Sequence, residues 1–184
     1  MVLERKGKPA EPEDAPLPRR PMLARLASAL ALAVALAGCD SLASVAPPVA
    51  GVQEPWPEML DAVNALRAEG ATCGTERFAP APPLVWNARL GGAALAHTLD
   101  MAGNGHFDHR GTDGSDVGDR TARAGYAWRM IGENIARNQR SVAQVVAEWR
   151  ASPGHCRQMM DPRYVELGAA ERSRYWTQVL GLPR

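Results

Sequence analysis

A run of small and apolar residues at positions 26–37, closing on Leu36-Ala37-Gly38-Cys39, does more than any other feature to limit what this chain can fold into. At about twelve residues it is too short to cross a bilayer, which takes about 20. Arg19, Arg20 and Arg25 precede it as a positive flank, and the combination has the form of an export signal. The closing four residues match a bacterial lipobox, in which small side chains fit the signal peptidase and the cysteine thiol is acylated, so Cys39 is the expected lipidation site. An ordinary secretory signal with an incidental cysteine is the alternative. Residues 1–21 fit no signal, which makes Met22 a candidate start, and Arg19-Arg20 alone is too little for a twin-arginine signal. Residues 1–38 are therefore assigned to a lipoprotein-type signal peptide, and the fold must be built from residue 39 onward.

Export gives the cysteines a meaning. The chain has three, and with Cys39 acylated, Cys73 and Cys156 remain as an even pair in an oxidising compartment, where a disulfide is expected. A thiol nucleophile at Cys156 activated by His155 is the poorer reading, because adjacent residues rarely reach each other with the geometry such activation needs. Charge excludes one class of partner. Six of the 21 Lys/Arg and four of the 20 Asp/Glu fall within residues 1–38, so the remainder is close to neutral. Nucleic-acid binding needs a basic excess that displaces phosphate counterions, and no nucleic-acid partner is expected.

Residues 39–55, rich in Pro, Ala and Ser without a sustained period, read as a flexible tether, and a single folded domain is expected over 56–184. Trp56, Met59, Leu60, Val63 and Leu66 recur at helical spacing up to a stop at Gly70. Asn87 can cap a second helix through Leu90, Ala94, His97, Leu99 and Met101 to about Gly103, which Gly91 and Gly92 weaken unless something packs closely on them. Next come a Gly/Asp/His-rich loop, a short helix over 117–124 and an extended segment over 130–136. Ser141 and Gln144 form a capping-box pattern ahead of Val142, Val145, Val146 and Trp149, a helix that Pro153-Gly154 should halt. Two β-prone runs, 165–170 and 175–180, suggest a final antiparallel hairpin. Helices before and between strands make this an α+β fold, with Trp86, Trp149 and Trp176 expected in the core.

Five segments stand out in order: Val63-Asn64-Ala65-Leu66-Arg67; Pro83-Leu84-Val85-Trp86-Asn87; His106-Phe107-Asp108-His109-Arg110; Gly132-Glu133-Asn134-Ile135; and Trp149-Arg150-Ala151-Ser152-Pro153-Gly154-His155-Cys156. A terminal Tyr175-Trp176-Thr177-Gln178-Val179-Leu180-Gly181 completes them. In this order they resemble the CAP superfamily of cysteine-rich secretory, antigen 5 and pathogenesis-related proteins, over about residues 59–181. The resemblance implies an α-β-α sandwich with a central, mainly antiparallel sheet between helices, and a cleft bearing two histidines and two acids. His109, Glu133 and His155 fall at matching positions. The fourth does not, since Ser152 stands where some eukaryotic relatives have Glu. Glu148 is a poor substitute because helix neighbours point about 100° apart.

The same residues make chemical sense by themselves. His109, Glu133 and His155 lie in Gly- or Pro-rich turn contexts, where side chains can converge on a cleft. Two neutral imidazoles can hold a zinc-like divalent ion weakly, while a carboxylate fixes one ring's tautomer or holds a water. Glu133 reads equally well as a hydrogen-bonding partner of loop backbone. His97 reads as a packing or hydrogen-bonded helix residue. His106 is a further candidate ligand, although Phe107 beside it suggests local packing. Asp108, Asp113, Asp116 and Asp119 lack the order of a calcium loop and read as solvated turn residues. The favoured function is a binding module of the cell envelope, facing the periplasm or exterior and held to a membrane by lipid, whose cleft takes a metal ion or a small-molecule, lipid or protein ligand. The alternatives are a metal-assisted hydrolase of peptides or envelope polymers, with a metal-bound water near Glu133, and a structural or interaction protein whose His/Glu cluster is only a hydrogen-bond network. Two histidines and one acid barely complete a catalytic site, and no Ser, Cys or Lys stands in a triad, so an enzyme is not favoured.

Overall fold

The first helix of the computed structural model, α1 (Pro57–Glu69), starts with proline in its first turn, where a missing N–H costs nothing. The structure describes residues 56–184; the signal, Cys39 and the tether lie outside the described residues. Met59, Val63 and Leu66 are buried as the helical spacing requires. Arg67, on the same buried side, is fully enclosed and staples four carbonyls. Its Nε donates to Pro82 O (2.8 Å), Nη1 to Met159 O (2.7 Å) and Asp161 O (3.0 Å), and Nη2 to Tyr164 O (3.2 Å). Asn64 exchanges two bonds with the Leu84 backbone, 3.0 and 2.8 Å. The polar members of the first motif therefore hold the loop after α1 and the end of the last helix in place.

Strands β1 (Ala71–Cys73) and β2 (Glu76–Phe78) form a small antiparallel hairpin. Three-residue strands carry too little alternation to be read from sequence. β3 (Val85–Trp86), β4 (Trp128–Arg137), β5 (Glu166–Arg172) and β6 (Tyr175–Pro183) form the main sheet in the order β3-β5-β6-β4, antiparallel except for the β3–β5 pair. Helices α2 (Ala88–Asn104) and α3 (Val117–Arg123) lie on one face; α1, α4 (Val142–Ala151) and α5 (Pro153–Met160) lie on the other. Adjacent strand residues serve opposite layers: Ala169 and Leu180 pack with Met59, Val145 and Trp149, whereas Ala170 and Val179 pack with Leu90 and Ala94. That is the two-residue period of a strand buried on both faces, and the expected α-β-α sandwich is what forms.

Several local expectations resolve differently. Pro153-Gly154 does not simply halt α4: the chain turns at Ser152 and Pro153 opens a new helix, α5, as a first-turn proline can. Leu99 is 46% exposed despite its apolar character. Trp86 is half-buried, while Trp149 and Trp176 are enclosed and donate to Ile135 O and Gln139 O, both at 3.1 Å. Trp56 stacks on Trp176, with ring centroids 5.6 Å apart. The glycines of α2 are explained by contact, because a Cβ on Gly168 of β5 would stand 2.0 Å from Gly91 N. The expected disulfide joins Cys73 of β1 to Cys156 of α5, with a Cα–Cα distance of 5.4 Å and both residues fully buried.

Candidate functional site

Strand β4 ends the sheet order, so among the described residues no further strand covers its outer edge. Alternation sends Glu133 toward α2 and α3 and Asn134 toward α5. Glu133 is buried, and two side chains engage its two oxygens: His109 Nδ1 lies 2.8 Å from Oε1, and Arg120 Nη2 donates to Oε2 at 2.8 Å. Arg120 is itself buried on α3 and also donates to His109 O (3.0 Å) and Ser115 O (2.9 Å). On the other side, Asn134 Nδ2 donates to Gln178 Oε1 (2.9 Å) and to His155 O (3.4 Å), tying the start of α5 to the sheet. The His109 side chain is 57% exposed. A carboxylate accepts, so the ring donates from Nδ1, and once the ring is neutral its Nε2 lone pair is left free.

The other histidines have separate tasks. His97, fully buried on α2, has Nε2 2.9 Å from Asp108 O and 3.8 Å from Glu133 Oε1. His106 has Nε2 3.3 Å from Arg110 O and 3.6 Å from Asp100 Oδ2, and its ring meets that of His97 edge-on at 6.4 Å. Phe107 beside it is 42% exposed, with the Arg137 guanidinium carbon 5.2 Å from its ring centroid. Of the loop acids, Asp116 and Asp119 form the capping box of α3, and Asp113 pairs with Arg123 at 2.6 Å.

Burial and the Glu133 carboxylate together set His97 and His109 apart. The hydrogen bond that His109 donates to Glu133 holds the His109 pKa above the usual imidazole value. Burial pushes His97 below it despite the same carboxylate. Burial, and then the charge of His109, also push His155 down. Unfolded, each ring titrates near 6.5. The stabilisation from neutral His97 and His155 is complete above that value and lost as pH falls through their lowered pKa values; that from His109 runs the opposite way, complete below 6.5 and lost as pH rises through its raised value. His97 is enclosed and His109 is largely screened by water, so the buried ring decides the sum. The urea midpoint should fall between pH 7.5 and pH 5.5, and a midpoint that rises over this window would contradict the assignment.

A cleft of about 370 Å³ runs beside the β4 edge, lined by Phe107, Arg137, Gln139, Glu148, Ser152 and His155 among others. His155 and Ser152 are thus in the cleft wall; His109 is not part of the lining, though its charge reaches His155, and Glu133 lies beneath His109. Among the described residues no group of three or more His, Cys, Asp or Glu is placed to hold a metal ion. The donor set therefore does not fit a closed four-ligand zinc site; what it offers is the free Nε2 of His109 and the ring of His155. Arg120, Arg137 and Gln139 were not marked by any motif. The one available clue was Glu133 itself, since a buried carboxylate requires a counter-charge.

The sequence model of the CAP family, described as the cysteine-rich secretory protein family, matches residues 60–178. The chain belongs to the CAP family. This CAP domain is 31% identical over 98 residues to the Bacillus subtilis (strain 168) protein YkwD, covering 52% of this chain and 38% of that protein. It is 26% identical over 121 residues to the membrane protein YlbC of the same organism, covering 66% and 32%. The chain thus spans about a third of the length of these curated relatives. Its fold is similar to that of an extracellular SCP-domain protein from Bacillus anthracis str. Ames (TM-score 0.61, 24% identity, 67% of this chain and 39% of that one). It is also similar to an outer surface protein from Borrelia burgdorferi (TM-score 0.56, 14% identity, 72% and 99%). Among the described residues no helix of this CAP domain is long and apolar enough to cross a membrane.

Proposed function

We propose that this CAP protein is an exported binding module, anchored in the cell envelope through acylated Cys39, whose cleft beside β4 takes a small ligand and whose His109 and His155 hold a divalent ion weakly. The reading is carried by one observation: Glu133, itself clamped by Arg120, accepts from His109 Nδ1 at 2.8 Å and leaves the Nε2 of an exposed ring free. Such a carboxylate–imidazole pair orients a ligand ring and raises its basicity. A bound divalent ion would supply Lewis acidity at the cleft mouth. Both oxygens of Glu133 are already engaged, which argues against its service as a general base and so against the hydrolase reading. The extracellular and outer-surface descriptions of the two fold neighbours support the envelope location, as does the lipobox.

Calorimetric titration of the full chain with zinc chloride at pH 8 tests the reading. Weak binding is expected, reduced at least tenfold in both His109→Ala and His155→Ala, and fading as pH falls through the raised pKa of His109, since a protonated ring cannot ligate. If the native chain takes up no zinc, or both variants bind it as well as the native chain, the ion-binding reading fails and the hydrogen-bond network stands as a structural device.

A further inference from the structure

At one end of the cleft, aromatic rings and not acids hold the Arg137 guanidinium. Its Cζ lies 5.2 Å from the centroid of Phe107 and 5.9 Å from that of Tyr175, its cross-strand partner on β6. A guanidinium held over ring faces spends no N–H donor on an acid and keeps its fork for another partner. Those donors have no hydrogen-bond or ion-pair partner among the described residues. An edge of two parallel donors is the shape that a carboxylate fills. Arg140, Arg172 and Arg174 lie at the same end of the sheet, exposed and outside every ion pair among the described residues. Glu171 of β5 is the acid beside them and accepts from the Arg174 backbone N–H at 2.6 Å, so the balance of charge at this end still favours an anion.

The inner wall asks for the opposite chemistry. Gln139 is 6% exposed, its Nε2 donates to Glu148, and its Oε1 has no partner. Turning the Gln139 amide over would set its Oε1 against the Glu148 carboxylate, acceptor to acceptor, so Oε1 cannot satisfy itself that way. A buried acceptor left without a donor is costly, and the Glu148 charge repels a bare anion from this part of the wall. A ligand that suits both ends must carry a carboxylate and, a few bonds away, a donor.

We infer that the cleft takes a carboxylate bearing a nearby amide N–H, with the carboxylate on Arg137 and the N–H on Gln139 Oε1. This rests on the reading of the cleft as a ligand site and names the class of ligand. A free peptide C-terminus and an N-acylated sugar acid share this chemistry, and Phe107 offers either one an exposed apolar face.

Backbone NMR shifts of the full chain, recorded during titration with N-acetyl-alanyl-alanine, with its C-terminal amide, and with N-acetylmuramic acid, test the inference. An acid should bind at least tenfold more tightly than the neutral amide, and the better of the two acids identifies the source. Arg137→Gln should weaken the acid about tenfold and leave the amide unchanged, while Arg137→Lys, which keeps charge without the fork, should recover only part of the loss. Arg137 is exposed, so a spectrum unchanged away from the cleft will show that both variants fold. If no acid binds, if the amide binds as tightly as its acid, or if Arg137→Gln leaves acid affinity unchanged, the inference is overturned. Zinc titration of the same variants separates the two readings, because retention of zinc by Arg137→Gln leaves the His109/His155 site standing.

Discussion

Replacing Cys73 and Cys156 together by serine will lower stability by about 4–5 kcal/mol. The bridge closes a loop with a sequence separation of 83, and in the chain-entropy model a cross-link over a loop of that length removes about this much from the unfolded state. Native contacts point the same way. Both cysteines are fully buried, and the bridge fastens the β1–β2 hairpin to α5, the helix that carries His155 at its start. The loss should be accompanied by weaker use of His155, because the other polar ties of α5 are the Arg67 staple at its end, the Gln158 bond to Glu133 O and the long Asn134 bond to His155 O. Urea denaturation of the double variant against the oxidised native chain measures it. A difference below about 1 kcal/mol would mean that the hairpin and α5 are fixed by packing alone.

Glu133→Ala will cost about 3–5 kcal/mol, because it leaves the Arg120 guanidinium buried without its counter-charge. The two ends of this pair are 2.8 Å apart and neither reaches water freely. Arg120→Ala should be comparably harmful, and the double variant should be less damaging than the sum of the two, since the second change removes the orphan left by the first. Glu133→Ala should also bring the His109 pKa back toward its ordinary value, as the hydrogen bond that raises it is gone. Additive losses, or a His109 titration that does not move, would count against the network as described.

The layers of this fold were readable because they rest on long periodic segments. α1, α2 and α4 follow apolar spacing, Asn87 and Ser141 cap helices through their side chains, and the final hairpin follows two β-prone runs. What escaped was decided by tertiary contact. Pro153 can end a helix or begin one, and only the turn at Ser152 chooses. The site was legible in part. The ordered motifs picked out His109, Glu133 and His155, but no period or spacing records that Glu133 is buried beneath His109, or that the counter-charge comes from Arg120. Nor does sequence place Phe107, Arg137 and Gln139 along one cleft, since that depends on how a loop, the end of β4 and the segment after it meet in space.

Glu133 fixes His109 with its Nε2 free for a ligand, and on this the functional proposal stands or falls. The most direct measurement is ring-nitrogen NMR of the full chain at a pH above the raised His109 pKa, before and after zinc. We expect a neutral His109 protonated at Nδ1, with zinc shifting the ring nitrogens of His109 and His155 and leaving His97 and His106 unmoved. A His109 ring protonated at Nε2, or zinc shifts confined to His97 and His106, would contradict it.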